Sequence, residues 1–161
     1  MNENKSMSNH QVSRIYVDTS VFGGCFDKEF SIDSLRFFDY VNKNLIKVLI
    51  SPVLLDELED APQNVKDILI QIPKENIEVM ELTDEVFDLR NSYINNEILT
   101  EKWIDDATHV ALATINKADA IVSWNFRHIV RLDKIKMYNQ INVQSGYNVL
   151  TIISPKEIFY E

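Results

Sequence analysis

Four short runs of this chain carry side chains able to hold a hard cation or move a proton. They are Asp18-Thr19-Ser20, Glu57 within Asp56-Glu57-Leu58-Glu59-Asp60, Asp105-Asp106, and Ser123-Trp124-Asn125. Each run alone also suits an ordinary role: an Asp followed by Thr and Ser commonly makes a turn or helix cap, and Glu57 suits an exposed helix face. Jointly they suit phosphodiester hydrolysis. Mg²⁺ or Mn²⁺ prefers oxygen ligands and is held by one or two carboxylates, water and phosphate oxygens. The bound ion acidifies a water and offsets charge developing on the phosphate. Asp105 and Asp106 differ by about 100° around a helix and cannot both face one point. Asp106, nearer the side of His109 and Val110, is the one expected to point inward.

Other reactive side chains read as structural. His109 and His128 lack any HxxxH or Cys/His ligand spacing and are expected to be packed and hydrogen-bonded. Cys25, the single cysteine, has no evident histidine partner and no disulfide mate. Gly23-Gly24 is a bare pair, not a phosphate loop. Trp124 and Phe126 are expected to pack against a sheet edge, with stacking on unpaired bases as the alternative. The formal charge of −9 argues against a protein that coats nucleic acid through a generally basic surface. The cations are nonetheless uneven, with Arg127, Arg131, Lys134 and Lys136 gathered in one stretch that reads as a solvated helix face.

These residues need a scaffold that brings distant segments together. At 161 residues and 45% hydrophobic content the chain is long enough for one domain with a sizeable core. Residues 1–13 read as a flexible segment and 14–161 as a single domain. Apolar runs of strand length occupy 15–17, 46–50, 77–82, 120–123 and 149–153. Helical signals lie between them. Ser51-Pro52 and Thr83 start two helices, 100–117 reads as the longest helix with Trp103, Ala107, Val110, Ala111 and Thr114 as its buried stripe, and Ser154 to Glu157 forms a capping box. Alternating strands and helices imply an α/β fold, a three-layer α/β/α arrangement on a parallel sheet of four to five strands. No apolar stretch is long enough to span a membrane and no secretory signal is evident, so a cytoplasmic protein is expected.

The motifs resemble those of PIN domains. Ile15 to Ser20 resembles the family's opening strand, and Ile50 to Leu58 its second acidic motif, with Glu57 as the motif glutamate. Asp106 to Ala113 is similar to the third motif, and Ile121 to Ile129 follows at the family's distance. The resemblance spans about Arg14 to Pro155. It implies a Mg²⁺- or Mn²⁺-dependent endoribonuclease like the VapC-type toxins of toxin–antitoxin pairs. RNA is then the substrate, an antitoxin the expected protein partner, and a homodimer the expected assembly. Asp18, Glu57 and Asp106 carry over as catalytic metal ligands; in this chain Asn125 is expected to complete the rim with a carbonyl oxygen, and Ser20 to hydrogen-bond a carboxylate or the scissile phosphate. The family's last acidic position is absent, since this chain has Ser123, Trp124 and Asn125, then His128-Ile129. That departure favours, as the alternative, a catalytically weak or silent PIN scaffold binding RNA or a protein. A receiver domain fits poorly, because only Asp18 follows the first strand where an acidic pair is needed.

Overall fold

The computed structural model describes residues 12–160. Strand β1 (Ser13–Val17) is flanked by β2 (Ile46–Ile50) and β4 (Ala120–Val122), while β3 (Ile77–Val79) and β5 (Ile152–Ile153) form the edges. All pairings are parallel, in the order β3-β2-β1-β4-β5. Tyr16 stands opposite Leu49 on one side and Ile121 on the other. Among the described residues seven α-helices connect the strands: α1 (Thr19–Gly24), α2 (Ser31–Asn42), α3 (Pro52–Glu59), α4 (Gln63–Ile70), α5 (Asp84–Asn95), α6 (Ile104–Ile115) and α7 (Leu132–Gln144). No helix among them is long and apolar enough to cross a membrane.

The two-residue period of a strand divides the core in two. Ile15, Val17, Val48, Ile50 and Val122 pack with α1, α2, α3 and α4. Tyr16, Leu49, Ile121 and Ile152 face the other way and pack with α5, α6 and α7. Both sheet faces are therefore covered, which is why the strands read as continuous apolar runs.

Several expected boundaries move. Residues 1–11 lie outside the described residues, and Ser13, expected in the flexible segment, already pairs with Ile46 in β1. The runs at 77–82 and 149–153 yield shorter strands because both lie at sheet edges. Each has a single neighbour to pair with, and β2 itself ends at Ile50. The expected helix at 100–117 is broken: Glu101–Trp103 is a 3₁₀ turn, Trp103 leaves helical geometry at φ −110°, ψ 31°, and α6 starts at Ile104. The longest helix is thus α7, with 13 residues. Trp103 is only half-buried, whereas every residue from Ala107 to Thr114 is buried. The helix starts at Ser51 and Thr83 are as expected, each side chain accepting a backbone N–H. The Ser154–Glu157 capping box forms on a 3₁₀ turn instead of an α-helix.

Gly24 closes α1 against α2 and the segment after β4. A Cβ there would stand 2.5 Å from Ser34 Oγ and 2.6 Å from Trp124 Nε1, two groups already hydrogen-bonded to each other at 2.8 Å. Gly24→Ala is expected to destabilise by about 1–3 kcal/mol, whereas Gly23→Ala, with open space at its Cβ, is expected to be neutral or stabilising by up to about 1 kcal/mol. Urea midpoints at unchanged slope measure both. Equal stabilities would contradict this packing.

Candidate active site

From β1 the chain builds outward through β2 and β3, then continues on the other side of β1 with β4 and β5. In open parallel sheets the crevice at such a reversal is where ligands bind, beyond the carboxyl ends of the strands. β1 delivers Asp18 to that crevice and β4 delivers Ser123. Glu57 comes from α3, and α6 contributes Asp106 in its first turn and His109 one turn later.

Asp18 occupies the N-cap position of α1, yet its side chain makes no capping bond. Both of its oxygens are used across the crevice instead. Ser20 Oγ donates to Oδ1 at 2.6 Å and Ser123 Oγ donates to Oδ2 at 2.7 Å. Ser20 Oγ in turn accepts from the Trp124 N–H at 2.8 Å, and Ser123 Oγ from the Asn125 N–H at 2.9 Å. Asp18 is only 5% exposed. Burial pushes its carboxyl above the usual range, against the pull of His109 and the two hydroxyls toward the ionised form.

Glu57 is fixed from two sides. Thr19 Oγ1 donates to Oε1 at 2.9 Å, and His109 Nε2 lies 2.7 Å from the same oxygen. The other ring nitrogen, Nδ1, is 2.7 Å from the Tyr16 hydroxyl, itself 2.7 Å from Ser51 Oγ. Burial works to raise Glu57, but the imidazole bonded to it outweighs that and holds it below the usual carboxylate range. For His109, 1% exposed, burial opposes the charged form. The bond to Glu57 and the charges of Asp18, Glu57 and Asp106 overcome that and raise it.

Asp106 carries the excess charge of the group. Burial and the negative charges of Asp18 and Glu57 push it up to about 6, while His109 and a hydrogen bond from the Asn125 side chain oppose the rise. Asp105, one position away, is exposed, as the helix geometry predicts. The buried imidazole is thus bonded to Glu57 and feels the charges of Asp18 and Asp106 as well. Among the described residues no three acidic, histidine or cysteine side chains meet as a preformed ion cage. The donor chemistry still fits a hard divalent cation, because Mg²⁺ needs only one or two carboxylates and keeps several waters.

The structure therefore brings Asp18, Glu57, Asp106, Ser20 and Asn125 into one electrostatic group. Asn125 plays a different part from the carbonyl ligand expected of it. Its Oδ1 already accepts from the N–H groups of Arg127 and His128, at 3.2 Å and 2.9 Å, and is thus committed to its own turn. His109 is packed and hydrogen-bonded as expected, but its partner is Glu57. His128 is buried with Nε2 unpartnered, so the expected hydrogen bond is missing there. Trp124 is buried and Phe126 is exposed. Burial pushes the Cys25 thiol up to about 11, consistent with a packed, unreactive group. Tyr16, Thr19 and Ser123 lie within the motifs but have structural parts in the site that the sequence reading did not assign them. For His109 a signal did exist, since three residues from Asp106 along a helix places both on one side.

The Asp106 shift has a thermodynamic consequence. Folded Asp106 ionises at about 6, against 3.8 in the unfolded chain. Between those values the folded state keeps a proton that the unfolded state has lost, so stability falls as pH rises through the window. With chelator present, Asp106→Asn is expected to stabilise by about 1 kcal/mol above pH ~6, after allowance for solvent screening of a half-buried group, and by nothing below pH ~4. Urea unfolding at about pH 3.5 and about pH 7.5 checks this. An equal difference at both would mean that Asp106 ionises normally.

Comparison with known proteins gives a fold. No family model matches the chain, and neither does any curated protein. A solved structure of VapBC2 from Rickettsia felis, bound to a DNA fragment from the promoter, matches with a TM-score of 0.51 and 16% identity. The match covers 71% of this chain and 89% of that one. With its five parallel strands, β1 at the centre and acidic residues at the reversal of strand order, the chain has a PIN-like α/β fold.

Proposed function

We propose that the protein is a metal-dependent endoribonuclease that hydrolyses RNA phosphodiester bonds. The observation that carries this reading is the gathering of Asp18, Glu57 and Asp106 about the buried His109 at the crevice, where burial, with the charges of Asp18 and Glu57 added to it, raises Asp106 to about 6. A site that resists its own ionisation has affinity for a cation. In this reading Asp18 and Asp106 hold Mg²⁺ or Mn²⁺ directly or through water. Such an ion supplies an acidified water and neutralises charge on the phosphate. Glu57, held by Thr19 and His109 through Oε1, keeps Oε2 to orient a water. Ser20 and Ser123 fix the Asp18 carboxylate.

The biological setting proposed is the toxin of a toxin–antitoxin pair, working as a homodimer. VapBC2, whose structure shares the fold, is described as bound to promoter DNA. An antitoxin would occupy the acidic crevice, with an arginine among the carboxylates. A second reading, a catalytically silent scaffold that binds RNA or protein, draws on the bonds that already occupy both Asp18 oxygens and on Asn125 standing where the family has an acid.

Asp18→Asn is expected to lower Mn²⁺-dependent cleavage of RNA by at least about 100-fold, with folding retained. Circular dichroism and a cleavage assay with and without chelator read the two quantities. Activity unchanged by the substitution, or by the chelator, sinks the metal-dependent mechanism. Absence of Mn²⁺ binding in a titration of the wild-type chain selects the silent scaffold.

A further inference from the structure

Next to the acidic crevice lies a strip that the mechanism above does not use. It comes from two segments, each tied to the site by a short covalent distance. Lys102 and Trp103 end the 3₁₀ turn just before α6, on which Asp106 sits one turn in. Phe126, Arg127 and His128 directly follow Asn125. The two segments touch: the His128 ring lies against Trp103, tilted by 31° with centroids 4.3 Å apart, and the Arg127 guanidinium stands 5.6 Å from the Trp103 ring. Lys102 Nζ is 5.0 Å from the same ring. Phe126, 46% exposed, is backed by Trp124 and Phe30, whose own rings stack at 4.1 Å.

These five residues present two cations, three rings and no aliphatic side chain. Among the described residues neither Lys102 nor Arg127 pairs with a carboxylate, unlike Arg131, which is held by Asp133. His128 is 9% exposed and its Nε2 has no hydrogen-bond partner. The charges of Arg127, Lys134 and Arg131 add to burial in keeping its ring neutral, so it lies against Trp103 without adding a third positive charge. On a chain of net charge −9, two uncompensated cations beside the acidic crevice form the local field that a polyanion needs to approach it. An exposed ring with its back supported is a platform for an unpaired base.

We infer that this strip is the subsite for the nucleotide flanking the scissile bond, with Phe126 stacking an unpaired base and Lys102 and Arg127 gripping its phosphates. The inference rests on the ribonuclease reading for the substrate but not for the chemistry, since binding here needs no metal. An exposed ring directly followed in the chain by an unpaired cation offers a base and its phosphate a partner each. The strip offers no aliphatic pocket for an apolar peptide side chain.

The test measures anisotropy of a fluorescent single-stranded oligoribonucleotide of mixed sequence, with the full chain in chelator, over a range of salt. Lys102→Gln with Arg127→Gln is expected to weaken binding about tenfold or more and to reduce the salt slope by about 1.4, the release of two counterions from a single strand. Phe126→Ala is expected to weaken binding about 5- to 150-fold, the range of one lost base stack, and Phe126→Trp to restore it. The exposed Lys102 and Arg127 substitutions keep the test open if Phe126→Ala misfolds. Unchanged affinity and slope in the double variant overturn the subsite. So does a wild-type chain that binds no RNA, or a protein partner that loses affinity for the double variant while RNA does not. Loss of RNA binding in these variants alongside a wild type that never cleaves removes the nuclease and leaves the subsite. Normal RNA binding in the variants alongside cleavage that depends on Asp18 does the reverse.

Discussion

The structure turns on a carboxylate buried where two parallel strands end. Removing an ionised group from water is costly unless its lone pairs are met by donors and its charge by an opposite one. Asp18 meets both conditions with groups from separate parts of the chain: a hydroxyl from α1, a hydroxyl from the end of β4, and a nearby imidazole from α6. None of these donors can be in place unless β1 and β4 are paired and α6 is seated on the sheet. The position of one acid thus constrains the assembly of three elements.

The alternation of β1 extends that constraint through the sheet. Val17 points into the core beneath α1 to α4, and Tyr16 points into the core beneath α5 to α7. From there the Tyr16 hydroxyl reaches both Ser51, which caps α3, and His109, which holds Glu57 on that same helix. A single buried phenol therefore sets the start of α3 and, through the imidazole, the carboxylate one and a half turns along it. Burial pushes the Tyr16 hydroxyl well above its usual range, so it stays neutral and can donate or accept within this chain.

Much of this was legible in the sequence, and the rest was hidden for definable reasons. The fold class followed from apolar runs alternating with helix starts, and β2 is found at Ile46–Ile50 as read, because a strand buried on both faces is apolar throughout. Edge strands were overestimated, since the same β-branched composition continues where no neighbour offers hydrogen bonds. The break at Trp103 was invisible, because the stripe of apolar residues keeps its spacing across it and only the contact with His128 marks the discontinuity. Asp18, Glu57 and Asp106 were readable as candidates from their positions after strands and on helix faces. The engagement of the Asn125 oxygen was not, because it depends on a turn in which two backbone N–H groups capture it.

The long sequence separation between the partners of the central strand has a temporal meaning. β1 can pair with β2 early, across about thirty residues, but its other neighbour and Ser123 arrive more than a hundred residues later. Contacts of that span are slow to form because the intervening chain must first be closed into a loop. During synthesis on the ribosome, Asp18 therefore lacks one of its two donors until more than a hundred further residues have been added. The acidic crevice comes into being only when β4 joins β1, after β1, β2 and β3 can already pair.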